Sequence, residues 1–210
     1  LLRWFVGPDR TPWPDWTGRA RGMSNRSAWT AADVEAITLA NERGGFAKSF
    51  HEAPAKVASP VLVARALELG EKAFFNRLGL ANRAGVLAVG QAAARDEFSR
   101  KKIGLVIIAS DAGTSGQERF GGNARRKGIP TLLIDSGAEL GRALGREFVS
   151  VTLVHQSPFS IDLLRIGRQL VALGSTHLIL EEEGSAAEQA VSAEIPEGDT
   201  APKAPSTPCS

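Results

Sequence analysis

The chain has 210 residues, 43% of them hydrophobic and 23% charged, and a net charge of +2, an ordinary globular composition with room for two small domains. No apolar run approaches the roughly 20 residues that cross a bilayer. The single cysteine, Cys209, excludes an internal disulfide and a cysteine-based zinc site, so a reducing, cytoplasmic location with no membrane partner is expected. The first residue is leucine and the sole methionine is Met23, so the natural start is expected upstream. All four tryptophans, Trp4, Trp13, Trp16 and Trp29, fall in the first 29 residues, and that break in composition marks a separate unit. Residues 1–22 alternate short apolar pieces with Gly, Pro and Asp and read as strands joined by turns. Thr30 is expected to cap a short helix over 31–40 that stops before Gly44 and Gly45. Ser59 as N-cap, with Pro60 at the first helical position, opens a helix carrying Val61, Val63, Leu67 and Leu69. Beyond it, β-branched runs at 86–89, 105–109, 131–134 and 149–154 alternate with helical patterns at 91–100, 118–127, 138–144 and 159–173, the last capped by Ser157-Pro158. Residues 184–210 lack apolar periodicity and are expected to be disordered. The expected fold class is a small α+β domain over 1–58, a linker helix over 59–72, a three-layer α/β/α sandwich over 73–180 and a disordered acidic tail over 181–210.

The charge is unevenly placed. Residues 72–128 hold eleven basic against four acidic side chains, whereas 181–210 hold seven acids against Lys203. That asymmetry suits a polyanion partner for the middle, screened by the tail; solvated helix faces are the plain alternative. Groups for bond-making chemistry are missing. His51, His155 and His177 have no metal-ligand spacing, and no GxSxG surrounds a serine. The stretch Asp111–Phe120 looks like the switch segment of small GTPases, but Lys48-Ser49 follows Ala47 and no phosphate loop exists. It reads instead as a Gly-rich loop leading into a helix whose end carries Arg125, Arg126 and Lys127. No enzymatic activity, cofactor or metal is expected.

Two basic constellations stand out. If the helix from Gln91 continues, Arg95, Ser99 and Lys102 share a face beside Arg100 and Lys101, well placed for phosphates; Asp96 and Glu97 offer these bases surface partners instead. Near the start, Arg19, Arg21 and Arg26 lie in a loop that ends at Trp29, and guanidinium groups beside an aromatic ring fit unstacked, single-stranded RNA. The alternative for Trp29 is a place in the core.

These residues carry two resemblances. LLRWFVGPD, then Asp15-Trp-Thr-Gly-Arg19, Asn25-Arg-Ser-Ala-Trp29 and Phe46-Ala-Lys-Ser-Phe50 together resemble the bacterial YlxR family of small α+β nucleic-acid-binding proteins, with N-R-S here where the family has G-R-G. The resemblance implies RNA or nucleoid contact and adds Lys48 to the candidates. From Phe74 to Leu173 the chain resembles the kink-turn-binding ribosomal protein superfamily, as in YlxQ-like domains, through Leu78–Gly85, Gly90, Leu105–Asp111, Lys127–Pro130 and Leu140–Gly145. Members are α/β/α domains that hold kinked RNA at a helix start bearing G-x-N-E-x-x-K and at a nearby apolar loop. Here the Asn and Glu positions are Ala92 and Ala93 and the lysine position is Asp96. The base-reading groups are therefore gone, and Gln91, Arg95, Arg100, Lys101 and Lys102 are left to support less specific binding. Phe148, Val149 and Ser150 match the apolar loop. The expectation is a non-enzymatic protein that binds structured or ribosomal RNA, with a DNA-binding transcription regulator or nucleoid-associated protein, or an interaction scaffold, as alternatives.

Overall fold

The computed structural model describes residues 1–18, 26–51 and 53–181. Strand β1 (Leu2–Val6) is the centre of an antiparallel three-stranded sheet, flanked by β2 (Pro12–Asp15) and β3 (Ala28–Thr30). An edge suits β2, because Pro12 and Pro14 have no N–H to offer a further strand. Trp4 is buried, its ring 5.2 Å from that of Phe46, and it donates its indole N–H to Thr30 Oγ1 at 2.9 Å. Thr30 is thus committed to β3. Helix α1 (Val34–Glu42) is capped instead by Asp33, whose carboxylate accepts from the Ala36 N–H at 2.7 Å. A second short helix, α2 (Gly45–Phe50), begins where the sequence suggested a stop: Gly44 takes φ +71°, and Phe46 and Phe50, one turn apart, enter the core.

Asp9, in the β1–β2 turn, gathers Thr11 (Oγ1 at 2.7 Å, N at 3.0 Å), Trp13 Nε1 (2.9 Å) and Arg65 Nη2 (3.4 Å). Burial is the largest single influence and works against its charge, but the hydrogen bonds from Thr11 and Trp13 and the Arg65 guanidinium together outweigh it and hold the carboxyl below its usual range. A carboxylate lowered in this way contributes stability that is present above its unfolded pKa and lost as pH falls through the folded value. Asp9→Asn is therefore expected to cost at most about 1 kcal/mol near neutrality. In strong acid the melting temperatures of variant and wild type should converge.

Helix α3 (Ser59–Arg83) runs unbroken for 25 residues, past the expected end at residue 72. Its N-cap is Ala58, not Ser59, and the Ser59 hydroxyl accepts from Asn41 Nδ2 at 3.0 Å. Leu62, Ala66, Gly70, Phe74, Leu78 and Ala81 recur at near-helical spacing along its buried face. Helix α1 and strand β2 pack on it from one unit, α6 (Gly137–Leu144) and α7 (Pro158–Ala172) from the other. Trp16 donates to the Ala66 carbonyl at 3.1 Å and lies on Gly70, where a Cβ would come within 2.7 Å of both its ring and Leu170. One apolar cluster therefore runs from Leu2 and Trp4 through Leu62 and Phe74 to Leu170 and Leu178.

The second sheet has the order β4 (Leu87–Val89), β7 (Val151–His155), β5 (Ile103–Ala109), β6 (Thr131–Ile134), β8 (Leu178–Glu181), with β5 and β6 parallel and the other pairs antiparallel. Alternation along β5 sends Leu105 and Ile107 to the α3–α6–α7 side. Val106 and Ile108 face Ala94 and Phe98, on and just after α4 (Gln91–Glu97), and Phe120 and Ala124 of α5 (Thr114–Arg126). Burial on both faces explains the uninterrupted apolar run. Helix α4 ends three residues before its expected limit, and α5 starts four residues before its own. His51 closes α2 at φ +58°, His155 pairs with Glu97, and His177 lies 3.0 Å from Asp135. Among the described residues no three metal-ligating side chains come together, and no helix is long and apolar enough to cross a membrane. The disorder expected of the tail falls outside the described residues after Glu181.

Candidate nucleic-acid interface

At one end of the five-stranded sheet, α4 and α5 begin and the chain enters β7. Gly90 donates its N–H to the Val151 carbonyl at 2.8 Å and holds φ +90°, ψ 163°, a conformation essentially reserved for glycine. Helix α6 ends in Gly145 at φ +72°, and the Arg146 N–H returns to the Gly141 carbonyl at 2.9 Å, a left-handed glycine termination. This closure brings the Arg146 guanidinium to 3.7 Å from where a Cβ on Gly90 would stand. The Phe148 ring lies across Gly137 and remains 50% exposed. Asp111 accepts from the Gly137 N–H at 2.8 Å, and Ser136 Oγ accepts from the Ala138 N–H at 3.2 Å, anchoring the base of this end. Gln91 is exposed, its amide nitrogen 3.4 Å from the Cβ position of Gly116.

Gly90, Gln91, Arg146 and Phe148 thus share one end of the sheet. They offer a backbone open to close approach, an amide, a guanidinium for phosphates or base faces, and a ring for stacking. Val149 does not join them: it is 2% exposed and its N–H is bonded to Gly137 O at 2.8 Å. Arg146 is the residue the sequence conceals. An Arg-Glu pair after a helix-ending glycine reads as ordinary loop polarity, and only the left-handed turn at Gly145 aims it at Gly90.

The other basic candidates lie elsewhere. Arg95 is exposed on α4, its Nε 3.4 Å from the Gln91 carbonyl. The expected helical row through Ser99 and Lys102 does not form: α4 ends at Glu97, the Arg100 N–H closes a turn on the Glu97 carbonyl at 3.0 Å, and Phe98 is drawn into the core. Lys102 already extends the β5–β7 ladder, its carbonyl accepting from the Gln156 N–H at 2.8 Å. The seven residues of β5 place Arg100, Lys101 and Lys102 about 20 Å from the Gly90 end. Asp96 pairs with Arg100 at 3.3 Å, as the alternative for that stretch anticipated.

In the first unit Arg19 and Arg21 lie outside the described residues. Arg26 and Lys48 are exposed. Trp29 is 59% exposed on β3, opposite Arg3 in register, so it is no core residue. It borders a groove of about 630 Å³ shared with Arg3, Asp15, Trp16 and Arg165. Arg165 reaches there from α7 and donates to the Trp16 carbonyl at 3.3 Å, a contribution that its remote sequence position hides.

Residues 72–164 match the ribosomal protein L7Ae/L30e/S12e/Gadd45 family. The RNA-binding protein YlxQ of Bacillus subtilis (strain 168) is 28% identical over 93 residues, 44% of this chain and 93% of that protein. Among solved structures, a protein of unknown function from Bacillus halodurans C is 29% identical, covering 44% of this chain and 94% of its own, with a TM-score of 0.42. The 15.5 kD RNA-binding protein of Giardia lamblia is 25% identical, covering 51% and 89%, with a TM-score of 0.41. The segment that holds Gly90, Arg146 and Phe148 at one end of a sheet is thus the part of the chain that is similar to the L7Ae/L30e/S12e/Gadd45 family.

Proposed function

We propose that this chain is a cytoplasmic, non-enzymatic protein that binds structured RNA, with the Gly90 end of the second sheet as its main contact. The observation that carries the reading is the Arg146 guanidinium beside a side-chain-free Gly90, with the exposed Phe148 ring at the same end of the sheet. The similarity of 93 residues of the chain to the RNA-binding protein YlxQ supports RNA as the partner. The YlxR resemblance of the first unit supports a further contact through Trp29, Arg26 and Lys48, together with Arg19 and Arg21. Ala92 is exposed and Ala93 half-buried, so methyl groups stand where the resemblance places the Asn and Glu base readers, and the exposed Asp96 stands where it places the lysine. Recognition then rests on backbone, shape and stacking rather than on a base code.

Fluorescence anisotropy with a labelled RNA stem carrying an internal loop tests this. Arg146→Glu is expected to weaken binding about ten- to a hundredfold, the effect of removing a charged hydrogen-bonding group. Trp29→Ala should remove the equivalent of one stacked base, about 1–3 kcal/mol. Competition with duplex DNA at matched salt decides the partner: displacement by DNA as readily as by the looped RNA would overturn the reading.

A further inference from the structure

The C-terminal ends of α4 and α5 lie side by side at the far end of the sheet, tied by Lys127. Its ammonium donates to the Phe98 carbonyl at 3.0 Å and sits 4.9 Å over the Phe98 ring. Around this tie stand Arg100, Lys101 and Lys102 from one segment and Arg125 and Arg126 from the other, all exposed. Cations near helix C-termini complement the partial negative charge of the last carbonyls. That accounts for Lys127 but not for the five others. Carboxylates are few here: Asp96 is taken by Arg100, Glu181 pairs with Arg125 at 3.6 Å, and Glu97 is engaged with His155. Lys101, Lys102 and Arg126 have no carboxylate partner among the described residues. The ring at this end, Phe98, is buried beneath Lys127, so the surface offers cations without a stacking platform.

We propose that the far end is a second RNA-contact surface, which holds the phosphates of a regular duplex and reads no bases. It rests on the RNA reading above, yet it uses none of the residues of the Gly90 end. Cations alone suit backbone positioning, and each phosphate neutralised releases counterions and steepens the salt dependence of binding. The two ends then engage different parts of one folded RNA: an irregular element at Gly90 and an uninterrupted stem at Lys101, Lys102 and Arg126.

The test uses the full chain and two labelled RNAs, a plain duplex without loops or bulges and a stem with an internal loop, each titrated across a range of salt. K101E/K102E/R126E is expected to weaken duplex binding at least about tenfold and to flatten the slope of log affinity against log salt by about three, roughly one for each phosphate left without its cation. Arg146→Glu should leave the duplex slope unchanged. The milder K101Q/K102Q/R126Q, checked by thermal melting against the wild type, is expected to move the slope the same way. An unchanged duplex slope in both triple variants overturns the proposal, as does an equal loss of duplex binding in Arg146→Glu, which would make the two ends one site. If the wild type binds the looped stem no better than the duplex, the reading of the Gly90 end fails, and the duplex slopes still decide the far end.

Discussion

Trp16→Ala is expected to destabilise the protein by about 3–5 kcal/mol, the usual cost of emptying a large aromatic site, and to lower the melting temperature by about 10 °C or more. The size of the effect follows from what the indole touches. It fills the space over Gly70 in the middle of α3, hydrogen-bonds the Ala66 carbonyl, and presents its own carbonyl to Arg165 of α7. Alanine leaves a cavity where the end of β2 meets α3 and α7, with Gly70 unable to fill it. Because the cluster is continuous from Leu2 to Leu178, both halves should unfold in one transition, shifted as a whole. Tryptophan fluorescence from Trp4, Trp13 and Trp29 reports on the first sheet, and amide exchange of β5 reports on the second. A β5 midpoint unmoved by the substitution would contradict this account.

Gly141→Ala is expected to reduce stability and RNA binding together. Glycine to alanine within a helix ordinarily gains about 1 kcal/mol. At Gly141 the new Cβ would lie 2.8 Å from both the Arg146 oxygen and the Phe148 nitrogen and 2.9 Å from the Glu147 carbonyl carbon, and backbone atoms cannot rotate aside. The loop must move, at a cost of about 1–3 kcal/mol for overpacking, carrying Arg146 and Phe148 away from Gly90. RNA affinity for the looped stem should fall as far as it does in Arg146→Glu. Gly122→Ala serves as the comparison, because its Cβ would meet nothing within 4 Å; there a small gain in stability with unchanged binding is expected. Lowered stability with undiminished binding in Gly141→Ala would show that the loop is not the contact.

What the sequence discloses here is what neighbouring residues determine. The β5 run, buried on both faces, reads as a strand on inspection. Ser157 followed by Pro158 marks the start of α7, where Ser160 Oγ accepts from the Ser157 N–H at 3.1 Å. Helix α2 escapes notice because Gly44 and Gly45 signal a stop, whereas here Gly44 turns the chain into a new helix. Strand β8 escapes because its four residues lie beside the acidic run. Gly90 and Phe148 are legible through the resemblance, but Arg146 and Arg165 acquire their places only from tertiary closure. The cationic run Arg100–Lys102 is plain in the sequence. Its distance from Gly90 is not, since it depends on α4 ending where Phe98 turns inward.

Helix α3 also fixes a phase. At about 100° and 1.5 Å per residue, one residue inserted near Gly70 would rotate everything packed on its second half by more than a quarter turn relative to Trp16. Loops elsewhere can lengthen without this penalty. Because one continuous helix carries packing from both sheets' units, the spacing between the Trp29 groove and the Gly90 end is set by helix length rather than by a loop.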